Sequence, residues 1–519
     1  MKTSYKYISG TVIGLTLMMG MTSCDKFLDE LPDNRAEIKS ASDISNLLVS
    51  AYPREYPAYI LETESDNADE NVNNSWTEAG LLQREAYQWK DISETSTDSP
   101  NVIWSSCYTA VSTANEAIQQ IDSSSESMSK QLGEALLCRA YSEFVLSNVF
   151  CKAYDPKTAG SDLGLPYPEQ PEKRVGETFE RGTMADLYKK IDRDIQRALP
   201  LVGDDYSTPK FHFTRAAAYA FAARFYLYYQ QPEQTIKYAT MALGSDPTTM
   251  LRDWASWDAL SENKNIRPDA YVNSGVNANI MLLMSVSQWC AIAGPYFYGD
   301  RYCINSLIAK KEVQEAEGPW GSADNLYYGC FSNTSLAKYV VRKLGYYFDE
   351  ESSGSGLPYT EYAVFNGEET LLCRAEAYAL TQQYQKAVDD VNAILSKFTK
   401  NGVQLTIEGV KKYYDNIKYY TPEEPTPKKQ LNPSFLIDKV TEEPLLQCIL
   451  QLRRVLTVHE GLRWQDINRY GIVIYRRRVS SSGKVTAVTD TLTLNDPRRA
   501  IQLPADVISS GMTPNPRNN

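Results

Sequence analysis

The sequence predicts a mainly α-helical protein in which paired helices carry long irregular segments. Apolar residues recur every three or four positions over many stretches, of which 103–121 is the clearest, and this period is typical of a helix with one buried face. Alanine is concentrated within 214–229, which favours close packing of helices. Apolar residues alternate with other residues along 484–494, and this pattern predicts one short β-hairpin with 472–479. Three long segments lack the helical period: 52–100, 245–366 and 400–445.

The N-terminus has the pattern of an export signal. Lys2 and Lys6 precede an apolar stretch, 7–21, that is too short to span a bilayer. Two small residues then lead directly to Cys24, an arrangement that resembles the bacterial lipobox. We therefore expect a signal peptide over 1–23 and a lipid-modified Cys24. The alternative is an ordinary signal peptide followed by an incidental cysteine.

Composition narrows the class of partner. The 519 residues carry a formal charge of −12, and removing the two lysines of the signal leaves about −14. Nucleic acid requires a basic face, so this balance argues against it. After the signal, no apolar run is long enough for a transmembrane helix. Eight further cysteines permit disulfides but do not require them.

The helices fall into four candidate pairs. Two of the pairs, 214–244 and 368–398, can be laid over each other with matching offsets of small and aromatic residues. The other two are split by insertions, and join 41–51 with 101–121 and 131–150 with 184–199. This spacing resembles tetratricopeptide repeats, in which each helix pair buries its apolar face against the next. Residues 24–519 are accordingly expected to form a single domain.

Several short motifs, in their order and spacing, resemble the SusD/RagB family of nutrient-binding outer-membrane lipoproteins. They are Cys24-Asp25-Lys26-Phe27-Leu28-Asp29, Arg139-Ala140-Tyr141, Gly164-Leu165-Pro166-Tyr167-Pro168, Arg374-Ala375-Glu376-Ala377, Arg453-Arg454, Glu460-Gly461, Arg463-Trp464 and Ile501-Gln502-Leu503-Pro504. The resemblance implies four tetratricopeptide-like units with an irregular ligand-binding portion. It also implies a SusC-like TonB-dependent β-barrel transporter as partner, and a location at the cell surface on the outer membrane.

The function that this resemblance implies is capture of oligosaccharides for import. Two alternatives remain open, namely capture of oligopeptides by the same apparatus and a structural or adhesive role. An enzyme is not expected, because the two histidines, His212 and His459, stand apart and no catalytic motif is present. No cofactor is expected either.

The ligand site requires exposed aromatic faces, because Tyr and Trp combine a flat apolar face with a polar edge. The chain has 36 Tyr and 8 Trp, and burial between helices is the competing explanation for each of them. Five aromatic residues in the irregular segments are predicted to bind ligand: Trp76, Trp289, Tyr296, Tyr298 and Trp320.

Two charged motifs have competing interpretations. In the stretch 460–466, Arg463 and Asp466 could clamp a ligand, although an ion-paired helix end with Gly461 as its cap is favoured. The oxygen-rich stretch 66–71 could bind calcium. It lacks the spacing of an EF-hand, which favours a solvated acidic loop.

Overall fold

The computed structural model describes residues 40–72, 77–124, 127–171, 179–294, 296, 298–329, 331–333, 337–352 and 355–517. The predicted signal peptide over 1–23, the lipidation site Cys24 and the predicted ligand residue Trp76 lie outside the described residues. Within those residues, no helix is long and apolar enough to cross a membrane.

Helices dominate the described chain, which confirms the predicted fold class. They are α1 (Ala41–Leu48), α2 (Ala58–Glu64), α3 (Leu81–Tyr87), α4 (Pro100–Ser123), α5 (Ser129–Phe150), α6 (Met184–Ala198), α7 (Arg215–Tyr228), α8 (Pro232–Leu243), α9 (Trp254–Asp258), α10 (Ile266–Tyr271), α11 (Trp289–Ile292), α12 (Ser306–Lys311), α13 (Gly367–Leu380), α14 (Tyr384–Phe398), α15 (Ile407–Asp415), α16 (Glu442–Leu456), α17 (Arg463–Arg469) and α18 (Ala505–Ser509).

Strands are more extensive than the single predicted hairpin. They are β1 (Asp69–Val72), β2 (Asn279–Val286), β3 (Tyr302–Cys303), β4 (Phe331–Asn333), β5 (Lys338–Val340), β6 (Tyr347–Ser352), β7 (Ser355–Asn366), β8 (Ile474–Ser480) and β9 (Val485–Leu492). The β8–β9 hairpin lies where the sequence predicts one, and it extends a four-stranded sheet in the order β3-β1-β8-β9. A second sheet has the order β2-β7-β6, and β4 pairs with β5. β2 pairs with β7 from a distant segment, which leaves no short-range signal in the sequence. The β4–β5 and β6–β7 pairs are local hairpins that the sequence analysis did not predict.

Local sequence explains where the long helices begin. Ser99 accepts a hydrogen bond from the Val102 amide at the start of α4, and Asn366 accepts one from the Glu369 amide at the start of α13. Side chains of this kind satisfy amides that have no partner within the helix. Proline occupies the first position of both α4 and α8, where the helix needs no N–H from it.

Successive helices pack as antiparallel neighbours, with α4 against α5, α5 against α6, α7 against α8, and α13 against α14. In two of these pairs a buried arginine binds an aspartate of the next helix. Arg139 donates to Asp194 at 2.6 Å, and Arg374 donates to Asp390 at 2.7 and 2.8 Å. These arginines therefore tie the two helices of a pair together inside the core.

The C-terminal helices join the irregular segments through a cluster of buried charges. Its members, named here the buried ion cluster, are Asp66, Asp69, Glu312, Lys429, Arg454, Arg463 and Arg477. Glu312 accepts from Lys429 at 2.6 Å and from Arg477 at 2.8 Å, and Arg463 donates to Asp66 at 2.8 and 2.9 Å. Five parts of the chain meet in this cluster: 66–69, Glu312, Lys429, 454–463 and Arg477.

The cluster corrects the expectation of a solvated acidic loop at 66–71. Asn67, Asp69, Glu70 and Asn71 are buried there, and Asp66 is nearly so. Burial alone would raise the pKa of Asp66, but Arg454, Arg463 and Lys429 hold it well below its usual value. The positive partners come from distant positions, which is why the segment appears to be an isolated acidic run in the sequence.

Removing the Glu312 carboxylate tests the importance of the buried ion cluster. We expect Glu312→Gln to lower the free energy of unfolding by about 3–5 kcal/mol at pH 7, because it leaves several buried cations without their shared anion. The matched control is Asp204→Asn. Asp204 pairs with Arg215 at the surface, so its loss should cost less than about 1 kcal/mol. Urea unfolding monitored by circular dichroism measures both values, and equal penalties would contradict the prediction.

The stability difference between the wild type and Glu312→Gln should also depend on pH. Burial opposes ionisation of Glu312, but Lys429, Arg477 and Arg454 together lower its pKa from 4.5 to about 2. Its ionisation therefore stabilises the fold above about pH 4.5, and this contribution is lost as the pH falls towards 2. The difference between the wild type and Glu312→Gln should stay constant from pH 7 to about pH 5 and narrow as the pH falls below about 4.5. A difference that widens on acidification would be inconsistent with this role.

Candidate functional site

Two of the predicted ligand residues form an exposed aromatic pair. Tyr296 is 55% exposed and Tyr298 is 60% exposed, and their ring planes lie 14° apart with centroids at 6.1 Å. Half-exposed Tyr346 meets Tyr296 edge to face, with centroids at 4.8 Å and planes at 76°. We call these three residues the tyrosine platform. Its open ring faces, bordered by hydroxyl groups, suit stacking against a sugar ring.

The loop that carries the pair, 293–301, is fixed from below. The amide of Tyr298 donates to the carbonyl of Ala291 at 3.1 Å, and the Lys338 ammonium donates to the Tyr298 carbonyl. Gln83 donates to the carbonyls of Gly299 and Tyr302, each at 3.0 Å. Gly299 has a φ of +66°, and a Cβ at this position would lie 2.6 Å from the Gln83 amide nitrogen. Glycine is therefore required at this position by both the backbone conformation and the available space.

Two further side chains fix the edges of the platform. Asp300 accepts from the amide and the hydroxyl of Thr77 at 2.6 and 2.8 Å, which ties the loop to the segment before α3. Asn265 donates to the Tyr346 carbonyl at 2.9 Å and accepts from its amide at 3.1 Å. The platform is thus assembled from two segments and held by residues of several others.

The platform itself consists of tyrosine side chains alone. Burial, followed by the neighbouring Cys290, Tyr296 and Tyr298, raises the pKa of Tyr346, so its hydroxyl is neutral at physiological pH. Lys338, whose ammonium donates to the Tyr298 carbonyl, is only 2% exposed and lies beneath the platform. Contact with a ligand would therefore rest on ring faces and hydroxyl groups.

Trp289 and Trp320 do not have the exposed faces that the sequence analysis expected. Trp289 stacks on Tyr59 with centroids at 5.2 Å and donates its Nε1 hydrogen to the His459 carbonyl at 2.9 Å. Trp320 is 1% exposed and covers Gly318, where a Cβ would lie 2.3 Å from its ring. Both rings fill the interior beneath irregular segments, and truncating either one would cost about 3–5 kcal/mol of stability.

Tyr346 is the platform residue that the sequence analysis missed. It follows Gly345 and precedes Tyr347, so an aromatic pair after a glycine in an irregular segment was the available signal. That signal is weak, because Tyr347 next to it is directed differently and bonds Asp269. Successive side chains of an extended segment point to opposite sides, so these two neighbouring tyrosines have different surroundings.

The motif at 460–466 is a structural ion-pair site, as the favoured interpretation held. Arg463 binds Asp66, and Asp466 accepts from Arg453 at 3.0 Å. Gly461 has a φ of +77°, and a Cβ there would lie 2.8 Å from the Cα of Ala58. Close approach to α2, and not a helix C-cap, accounts for this glycine. Within the described residues, no group of three or more His, Cys, Asp or Glu side chains could hold a metal ion.

Comparisons with known proteins agree with this architecture. The model of a SusD-like family, described as starch-binding and associating with the outer membrane, matches residues 26–227. A search of curated proteins finds no match to this chain.

Solved structures share the fold over almost the whole length. A SusD superfamily protein from Bacteroides vulgatus superposes with a TM-score of 0.66 at 15% identity, covering 93% of this chain and 100% of that one. A SusD superfamily protein from Bacteroides thetaiotaomicron gives 0.61 at 16% identity, with 92% and 100% covered. A SusD-like carbohydrate binding protein from Bacteroides vulgatus gives 0.61 at 13% identity, with 91% and 96% covered. The family match over residues 26–227 and the shared fold confirm the predicted resemblance to the SusD/RagB family.

Proposed function

We propose that this protein captures oligosaccharides on the tyrosine platform and delivers them to a SusC-like TonB-dependent transporter of the outer membrane. The observation that carries the proposal is the near-parallel, solvent-exposed pair of Tyr296 and Tyr298 on a fixed loop. When a sugar ring covers an exposed aromatic pair, apolar ring surface is removed from water. The tyrosine hydroxyls at the ring edges remain free to hydrogen-bond.

Two further findings support a glycan over a peptide. The matching family is described as starch-binding, and one structural neighbour is described as a carbohydrate binding protein. The platform also presents exposed aromatic rings, whereas a peptide ligand would gain most from a groove with backbone-pairing groups.

The same proposal includes the location of the protein. Cys24, directly after the predicted signal, is the expected site of lipid attachment. A lipid anchor would keep the binding surface at the membrane, where a captured ligand is at high local concentration near a transporter. The irregular segments 52–100 and 245–366 are the proposed side of contact with that transporter.

Alanine substitutions test the platform. We expect Tyr296→Ala or Tyr298→Ala to weaken glycan binding by about threefold to tenfold, since one stacked aromatic contact contributes about 0.5–1.5 kcal/mol beyond burial. The double variant should bind too weakly to measure. Isothermal titration calorimetry with starch-derived and other oligosaccharides, with a peptide pool alongside, gives the affinities.

The control for this experiment is Tyr419→Ala, which removes a tyrosine that is 39% exposed outside the platform. Its affinity should equal that of the wild type. Undiminished affinity in the double variant, with an unchanged circular dichroism spectrum, would place the site elsewhere. Binding of peptides but not of glycans would refute the ligand class.

Cell fractionation tests the anchor. We expect Cys24→Ala to move the protein from the outer-membrane fraction to the soluble fraction, because stable attachment needs covalent acyl chains. A variant with the neighbouring residue changed, Asp25→Ala, serves as the control and should stay with the membrane. Continued membrane association of Cys24→Ala would show that the protein is held there by another means.

A further inference from the structure

Three lysines are buried in the described part of the chain, and one of them differs from the others. Lys343 pairs with Glu460 at 2.9 Å, and Lys429 pairs with Glu312 at 2.6 Å. Lys338 is 2% exposed, and no described carboxylate lies within ion-pair distance of its ammonium. Its hydrogen bond goes to the carbonyl of Tyr298.

A buried ammonium without a carboxylate partner is unfavourable for folding. Its desolvation costs several kcal/mol, and an apolar side chain of similar volume at the same position is often neutral or stabilising. Fold stability alone therefore gives no reason for Lys338. Its contact with the backbone of the loop that carries Tyr296 and Tyr298 gives a reason for a lysine at this position.

The space beneath the loop explains why such a contact is needed. A small cavity of about 20 Å³ is lined by Trp289 and Ile292, which precede the loop, and by Tyr302 and Cys303, which follow it. This volume is close to that of a single water site. Packing is therefore incomplete beside the residues that flank the loop, and Lys338, which also lines the cavity, reaches the loop backbone at Tyr298.

We propose that Lys338 is a positioning residue of the ligand site, whose ammonium holds the Tyr298 backbone so that the rings of Tyr296 and Tyr298 stay parallel and exposed. This inference rests on the proposed glycan-binding function of the platform, but its structural half can be measured without any ligand.

The groups that face Lys338 determine how its charge responds to pH. Burial lowers the pKa of Lys338 to about 8, with Cys303 and Asp300 opposing that shift. Cys303 has a pKa raised to about 12 by burial, and Glu62, across the cavity, has one raised to about 7. Burial lowers the pKa of His459, which lines the same cavity, so this ring is neutral over the range of interest. Between pH 7.5 and 9, Lys338 is therefore the main group in its own surroundings that changes charge.

Two buried acids, Asp98 and Glu55, lie near the segment before α11, and burial raises the pKa of Asp98 to about 7. Asp98 accepts from the Ser287 hydroxyl at 2.6 Å and from the Gln288 amide at 2.7 Å, just before α11. Burial raises the pKa of Glu55, its neighbour, to about 8. Glu55 also titrates in this range, so only a variant that keeps Glu55 and removes the lysine isolates the effect of Lys338.

The test compares Lys338→Met with Lys343→Met. For Lys338→Met we expect an unfolding midpoint equal to or above that of the wild type, together with faster amide hydrogen exchange in peptides covering 293–302. For Lys343→Met we expect a lower midpoint, because the Glu460 carboxylate is left without its cation. Its 293–302 peptides should exchange as in the wild type. A lower midpoint for Lys338→Met without faster loop exchange, or no change in either, would overturn the proposal.

Ligand binding supplies the second readout. With an oligosaccharide that binds the wild type, Lys338→Met should bind about tenfold more weakly, the effect of losing one charged hydrogen bond. Wild-type affinity should also fall between pH 7.5 and 9 as the ammonium loses its proton, and this fall should be smaller in Lys338→Met. Equal affinity and equal pH profiles would overturn the positioning role. If no oligosaccharide binds the wild type, the proposed function fails, and loop exchange still decides whether Lys338 holds the loop.

Discussion

The fold depends on a set of charges that water does not reach. The buried ion cluster brings together the segment between α2 and β1, the start of β1, the segment after α12, the loop before α16, the helices α16 and α17, and β8. Charges in such surroundings are favourable only when each has a partner in good geometry. Each member therefore restricts where the others can lie, and the irregular segments are held against the helical core by these pairings as much as by apolar contact.

This arrangement explains why the charged motifs of the sequence are not binding groups. Asp66, Asp69, Arg463 and Asp466 have the residue types that recognise ions and polar ligands, yet each is already bound by a partner within the fold. Their charges are used to assemble the fold. The exposed surface offered by the tyrosine platform is neutral, and it contacts water through ring faces and hydroxyl groups.

The paired helices and the irregular segments therefore have separate roles. Helices such as α5 and α13 are buried on nearly every side, with small residues and arginine–aspartate pairs inside the core. They form a support that tolerates long insertions. The insertion between α8 and α13 builds its own sheet from β2, β7 and β6, and presents Tyr296, Tyr298 and Tyr346 beside it. Lys338 and Asp300 then fix a loop that apolar packing alone does not.

The sequence by itself determined the helical class, most helix positions, the β8–β9 hairpin and the exposed pair Tyr296 and Tyr298, because these follow from local periodicity and from runs of neighbouring residues. Tertiary structure decided the rest. Trp289 and Trp320 look like ligand residues in sequence, but burial depends on what packs over them. The acidic run at 66–71 looks solvated until cations more than 350 positions away in the chain bind it. Tyr346 joins the platform only through the fold, since no short-range pattern relates it to Tyr296.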